Sequence, residues 1–407
     1  MVSKMVPSPN EPRLFTAVLR QHFAEHRQMA FLAGPRQVGK TTVCRAIDPD
    51  ARYLNFDDQD DRALILRGPK AVASALQLEV LRAERPMVVF DELHKHGRWK
   101  TFLKGFFDGF GDRTRIAVTG SARLDVYRRG GDSLMGRYFL YRMSPFSVGE
   151  LLRQDVPTEL LAGPEQLSPE RLQQLWQRGG FPEPFLRDAR FGNRWRELRR
   201  QQLVREDVRD LSQVKELGQL EVMEGLLRER SGRSLSYTEL ANNVNVTVDT
   251  ARRWVELLTQ LHHGFVIRPW FKSVTKSLRK EPKWFLTDWS GIEDEGARTE
   301  TFVACHLRKA VQVWEDLGFG RFELRYLRDK NQREVDFCVI RDGKPWFLVE
   351  VKHGATQLSP SLEHFQTETK ARHAFQVVQT LPFQAANPFE RTDPCVVPAA
   401  TLLSMLP

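Results

Sequence analysis

Over the first 150 residues, short unbroken apolar runs alternate with stretches whose apolar positions recur every three to four residues. MAFLAG (29–34), ARYLNFDD (51–58), PMVVFDEL (86–93) and RIAVTGSA (115–122) read as strands. The most apolar of these runs are near-continuous rather than alternating, as expected of strands covered on both faces. Leu14 to about Glu25 and KAVASALQLEVLRAE (70–84) read as helices. Strands alternating with helices predict an α/β domain built on a parallel sheet.

The pattern changes after about residue 150. Residues 151–230 read as mostly helical, broken at RGGFPEPFL, where Gly179, Gly180, Pro182 and Pro184 forbid a continuous helix. Ser236-Tyr-Thr-Glu239 forms a capping box that should start a short helix. Thr247 can cap a second, with Ala251, Trp254, Val255, Leu258 and Leu261 turned inward. Two helices, a tight turn and a strand predict a winged helix-turn-helix. RPWFKSVTKSLRKEPK (268–283) reads as an exposed basic connection, and helix-plus-strand patterning resumes from 284. The expected division is a loose tail (1–13), a parallel-sheet α/β core (14–155), a helical segment (156–230), a winged-helix module with basic loop (231–283) and a final α/β domain (284–407).

Composition narrows the class. Apolar residues make up 41% of the 407 positions and charged residues 28%, ordinary values for a globular protein of several domains. The formal charge of +9, from 61 basic and 52 acidic residues, favours a polyanionic partner such as DNA. Cys44, Cys305, Cys338 and Cys395 are scattered, which suggests neither a zinc site nor a disulfide framework and fits a reducing cytoplasm. The N-terminus lacks the apolar core of a signal peptide, and no run approaches a membrane span. A cytoplasmic protein without a membrane partner is the expectation.

The chemistry begins at GPRQVGKT. Gly34, Gly39, Lys40 and Thr41 fit the phosphate-binding G-x-x-x-x-G-K-[ST] pattern, between a strand and a helix as its mechanism requires. Backbone N–H groups of Gly34, Pro35 (which has none to give), Arg36, Gln37, Val38, Gly39, Lys40, Thr41 and Thr42 define the cradle. Lys40 should reach the β/γ oxygens of ATP and Thr41 should offer its hydroxyl to Mg²⁺. Asp91 ends a buried strand, where a carboxylate is costly unless it meets a cation, so it is the second Mg²⁺ group. Glu92 is placed to polarise water. Ser121 is the preferred sensor of the γ-phosphate, with Thr119 its rival. Arg137 is the candidate arginine finger acting across subunits, with Arg123 and Arg142 competing. For DNA, the candidates are Thr250, Arg252 and Arg253 on the second helix and Lys272, Lys276, Arg279 and Lys280 on the basic loop, where Lys283 adds a further positive charge.

EVDFCVIRDGKPWFLVEVKHG (334–354) places Asp336 on one strand-like run and Glu350 and Lys352 on the next. Side chains alternate across a strand, so Asp336 joins the face of Glu350 and Lys352 only if the intervening loop is odd in length. An Arg341-Asp342-Gly343 loop with Gly343 left-handed satisfies that parity; a two-residue Asp342-Gly343 turn does not.

In this order the glycine loop, VVFDE, VTGSA, GRYFLYRMSPFSVGEL and GGFPEP resemble prokaryotic AAA+ ATPases, related to the archaeal ATPases of the signal-transduction branch, that carry a nuclease-like C-terminal half. The resemblance implies an oligomer, a hexamer-like ring being one form, with ATP at subunit boundaries. Asp336 with Glu350-Val351-Lys352 resembles the PD-(D/E)xK nuclease site. That likeness implies a restriction-endonuclease-like fold holding Mg²⁺ or Mn²⁺, with Glu300 as an added helix acid and Gln366 near the site. Three readings stay open: an ATPase that remodels or translocates DNA, branched DNA included; a nucleotide-dependent switch whose C-terminal domain is a binding platform; and an ATP-regulated nuclease.

Overall fold

The structure is a computed structural model that describes residues 11–120, 134–203, 208, 216–271 and 281–407. The chain forms two compact units, one of residues 1–144 and 154–156, the other of residues 145–153 and 157–407.

The first unit is built on five parallel strands: β1 (Met29–Ala33), β2 (Arg52–Asn55), β3 (Met87–Asp91), β4 (Arg115–Gly120) and β5 (Tyr138–Arg142). Their order is β2-β3-β4-β1-β5, and every neighbouring pair is parallel. All five residues of β1 are buried, as are four of five in β3 and five of six in β4, as the unbroken apolar runs require. The helix Trp99–Phe110 turns Trp99, Phe102, Leu103, Phe106 and Phe107 inward, where Phe102 and Phe106 meet Phe90 edge-on. Register aligns Asp91 with Thr119 and Ala33 with Gly120, so the ends of β3, β4 and β1 lie together at one edge. That is where parallel α/β sheets bind ligands.

The helix expected over 70–84 is much shorter. It spans Pro69–Ala75 and closes with Gln77 left-handed at φ 52°. The Leu78 N–H donates to the Ala73 carbonyl and the Gln77 N–H to that of Ser74, the paired bonds of a Schellman stop. Leu78 is thereby buried, while Leu81, within the expected helix, is 98% exposed. A helix not foreseen, Gln59–Leu66, starts where Asp58 accepts the N–H groups of Asp60 and Asp61.

The second unit holds a five-stranded mixed sheet in the order β12-β11-β10-β9-β8. Its strands are β8 (Phe322–Arg328), β9 (Glu334–Arg341), β10 (Lys344–Lys352), β11 (His373–Val378) and β12 (Cys395–Pro398). β8, β9 and β10 run antiparallel in turn, and β10, β11 and β12 are parallel. The 22-residue helix Glu295–Asp316 precedes them. Ahead of it come the expected winged-helix elements, helices Tyr237–Val244 and Val248–Gln260 and an antiparallel pair, β6 (Gly264–Ile267) and β7 (Lys283–Leu286). Ser236 and Thr247 cap the two helices, accepting the Glu239 and Thr250 N–H groups.

Residues 145–153 belong with this second unit. The helix Val148–Leu152 is fixed there by a buried ion pair between Glu150 and Lys309, and by the Val148 N–H donating to His306 Nε2 at 3.1 Å.

Candidate functional site

At the edge of the first sheet, the glycine loop joins β1 to the helix Lys40–Ile47. Two glycines are demanded by geometry. A Cβ on Gly34 would lie 2.2 Å from the Met143 carbonyl oxygen, and Gly39, which precedes Lys40, has φ 98°. Lys40 is buried, with Nζ donating to the carbonyls of Gly34 at 2.9 Å and Pro35 at 2.8 Å, so its ammonium is held over the loop. Arg13 braces the same loop from below, donating to the carbonyls of Val38 and, at 2.6 Å, Ser144. The Thr41 carbonyl accepts the Tyr53 hydroxyl at 2.8 Å.

Asp91 Oδ1 accepts the Thr119 hydroxyl at 2.5 Å and the Glu92 N–H at 3.1 Å. The Thr119 hydroxyl is thus committed to Asp91. Its rival Ser121, like Arg123, lies outside the described residues. Glu92 has φ 51°, which swings its side chain away from the line of β3. Its Oε2 is buried without a hydrogen-bond partner, 3.7 Å from His94 Nε2 and 4.0 Å from Lys95 Nζ. Burial, then the Asp91 charge, holds its carboxyl above the usual range, against the pull of Lys40, Arg36 and Lys95. Arg137 makes a two-pronged pair with Asp108 of its own chain, Nε to Oδ1 at 2.7 Å and Nη2 to Oδ2 at 3.0 Å.

These groups fit a magnesium nucleotide. A cradle that a single Cβ would disrupt sits beside a buried ammonium, an anchored carboxylate and a second carboxylate with an unsatisfied oxygen. Gly34 to Thr42 would hold the phosphates, and Thr41 and Asp91 the ion.

In the second unit, β9 and β10 are joined by a two-residue turn, Asp342 at φ 48° and Gly343 at φ 81°. The loop is therefore even, and the parity expectation fails for the loop itself. A bulge corrects it. Pro345 pairs with Ile340 but Phe347 pairs with Val339, so Trp346 is an extra residue. Val349 then pairs with Phe337, and continuing the ladder sets Glu350 opposite Asp336 on one face.

Asp336 Oδ2 accepts the Val351 N–H at 2.9 Å, and Lys352 Nζ lies 2.8 Å from Glu350 Oε1. The cation nearest Asp336 comes from elsewhere. Lys283, the first residue of β7, places Nζ 2.6 Å from Glu334 Oε1, 2.9 Å from Glu300 Oε1 and 3.4 Å from Asp336 Oδ1. It is 4% exposed. Burial alone would lower its affinity for a proton, but Glu300, Asp336 and Glu334 together overcome that and keep it charged. Counting Lys283 with the exposed basic loop is thus corrected; nothing in its neighbours along the chain announces a buried site. Burial, then the Asp336 charge, pushes the carboxyls of Glu300 and Glu350 upward. Gln366 donates to the carbonyls of Ala371 and Thr392. Among the described residues, no group of three or more His, Cys, Asp and Glu side chains is arranged to hold a metal ion.

On the helix Val248–Gln260, Arg252 and Arg253 are exposed, Arg252 over the Tyr237 ring and Arg253 donating to Thr250. Lys272, Lys276, Arg279 and Lys280 lie outside the described residues. Among the described residues, no helix is long and apolar enough to cross a membrane.

Residues 26–152 match the family described as an AAA domain, and the chain thus carries a P-loop domain with the AAA+ ATPase fold. Residues 169–292 and 295–397 match two families each described as a domain of unknown function. The chain is 26% identical over 358 residues to the uncharacterized proteins Mb2031c of Mycobacterium bovis and Rv2008c of Mycobacterium tuberculosis, covering 84% of this chain and 74% of each relative. Among solved structures it is similar to the Aeropyrum pernix ORC1 protein in complex with DNA (16% identity, TM-score 0.32, 74% of this chain and 95% of that one). A second is the Pyrococcus horikoshii signal transduction ATPase PH0952 with a tetratricopeptide repeat sensor (12% identity, TM-score 0.31, 78% and 50%).

Proposed function

We propose that the chain is an oligomeric ATPase that hydrolyses ATP to remodel or translocate along DNA. The observation that carries the hydrolytic part is Glu92, a half-buried carboxylate beside Asp91 with one buried, unsatisfied oxygen. Bound magnesium would neutralise charge on the phosphates. The chain's own groups do the rest. The loop amides and Lys40 fix the phosphates, Thr119 holds Asp91 in one rotamer, and Glu92 orients water through its unsatisfied oxygen. Arg137 supplies positive charge to a neighbouring subunit's site once it leaves Asp108.

DNA contact rests on the winged-helix module of residues 231–283. Arg252 and Arg253 face solvent on its second helix, and the basic loop adds Lys272, Lys276, Arg279 and Lys280. In this reading residues 14–155 are the motor, 156–230 its lid and 284–407 a nuclease-like domain. The test is ATP turnover against single-stranded, duplex and junction DNA. Stimulation by one form supports the reading, and turnover indifferent to all three refutes it.

A second reading, a nucleotide-dependent switch whose C-terminal domain binds a partner, is favoured by one observation. An ammonium engages Asp336, where the nuclease reading would have Asp336 and Glu350 holding Mg²⁺ or Mn²⁺. Absence of Mn²⁺-dependent nicking, together with DNA-independent turnover, selects the switch.

A further inference from the structure

Asp336, Glu350 and Lys352 converge on one face, yet the arrangement differs from an open ion-binding pocket in one respect. A lysine from another part of the chain reaches three carboxylates at once. An ammonium has three N–H donors, and three acceptors match that number. The lysine cannot easily be elsewhere. β7 pairs with β6 along its length, with Ile267 opposite Lys283. The adjoining backbone is tied to β8, since the Tyr326 hydroxyl donates to the Glu281 carbonyl at 2.6 Å and the Trp270 N–H to the Tyr326 carbonyl at 2.8 Å. Gly232 lets the preceding segment close over the cluster; a Cβ there would lie 2.9 Å from Glu300 Oε2.

Both oxygens of Asp336 are engaged, one by Lys283 and one by the Val351 N–H. Glu350, 7% exposed, keeps one buried oxygen, Oε2, with no hydrogen-bond partner. The cluster therefore combines an internal cation with a carboxylate oxygen still lacking a donor. Hard divalent ions need several carboxylate or water oxygens at close range and cannot share those oxygens with an ammonium already seated on them.

We propose that Lys283 is the resident cation of the Asp336–Glu350 site, that it excludes divalent metal from the native chain, and that its removal opens a divalent-cation site formed by Glu300, Asp336 and Glu350. The winged-helix hairpin thereby acts as the plug of the C-terminal domain. This stands apart from the ATPase and DNA readings and survives the failure of either.

The probe is Mn²⁺ alone, titrated into the nucleotide-free full-length chain and followed by the loss of its free-ion electron paramagnetic resonance signal. Wild type, Asp336→Asn, Lys283→Met, Lys283→Gln and each lysine variant combined with Asp336→Asn are compared. The expected result is at least tenfold tighter binding in the folded lysine variants than in wild type, and its loss when Asp336→Asn is added. Wild-type binding that Asp336→Asn abolishes overturns the proposal without needing any lysine variant. Folded lysine variants that bind no better than wild type overturn it too, because the lysine would then not be what excludes the ion. If Lys283→Met fails to fold, Lys283→Gln, which keeps a polar donor, carries the comparison. If neither lysine variant folds, the lysine serves as structural glue rather than as a displaceable plug, and the proposed opening of the site is rejected.

Discussion

Replacing Lys309 by Met should cost the second unit several kcal/mol. Lys309 and Glu150 are each 1% exposed and bonded to one another, and Lys309 also donates to the Pro145 carbonyl at 3.1 Å. Met matches the lysine stem in volume, so packing changes little. What remains is a buried carboxylate that has lost the Lys309 ammonium, a loss of about 3–5 kcal/mol. At a urea slope of about 3 kcal/mol per molar the midpoint falls by about 1–1.7 M. Eight of the nine tryptophans lie in this unit, so tryptophan fluorescence reports its unfolding directly. Adding Glu150→Met removes the stranded charge and should recover at least half of the loss. A single variant that loses less than about 1 kcal/mol, or a double variant as damaged as the sum of the two singles, would refute the reasoning. The pair would then be a dispensable surface-like contact.

Lys40→Ala should abolish ATP binding measured by equilibrium titration, whereas Glu92→Gln should bind ATP and lose at least a hundredfold in turnover. Mixing Arg137→Ala chains with Lys40→Ala chains should restore some turnover at hybrid interfaces; none, in chains shown to co-assemble, removes Arg137 as a finger in trans. Changing Lys272, Lys276, Arg279 and Lys280 to Gln should flatten the dependence of duplex affinity on log salt by up to ~0.9 for each phosphate no longer neutralised, and an unchanged slope puts the DNA surface elsewhere. His306 is buried and held neutral, its Nε2 accepting the Val148 N–H and its Nδ1 facing the Phe302 carbonyl at 2.7 Å. Burial lowers its pKa from 6.5 to about 3. The folded value is the depressed one, so its contribution is complete above pH 6.5 and is lost as pH falls toward 3. His306→Phe should reduce the fall in stability between pH 6.5 and 5 by about 1.4 kcal/mol per pH unit, seen in urea midpoints.

The sheet of the first unit was legible because buried parallel strands carry their signature in consecutive residues, as MAFLA and MVVF do. The glycine loop and Asp91 were legible for the same reason, being contiguous motifs at strand ends. The helix over 70–84 misled because its apolar spacing continues past the point where Gln77 turns left-handed, and backbone hydrogen bonds to Ala73 and Ser74 decide the stop. Lys283 was the harder case. It adjoins a basic stretch, and only the pairing of β6 with β7 and the approach of Glu300 and Glu334 from distant positions make it a buried centre. Convergence of that kind is a tertiary property. The face shared by Asp336 and Glu350 was anticipated, but the device that achieves it was not, since a bulge at Trp346 leaves no periodic trace in so apolar a strand.

That bulge bears on how this hairpin can change its length. Deleting Trp346 would leave Pro345 opposite Ile340 and Phe347 opposite Val339, a regular ladder in which Glu350 still meets Asp336. A residue added in the turn would likewise leave those pairs intact. Smoothing the bulge into the ladder without a deletion is what does the damage: Val349 would then sit opposite Asp336, and Glu350 and Lys352 would turn to the other side of the sheet. Viable length variants of this hairpin should accordingly change at Trp346 or in the turn, and the cluster should tolerate loss of the bulged residue better than straightening of the strand that carries it.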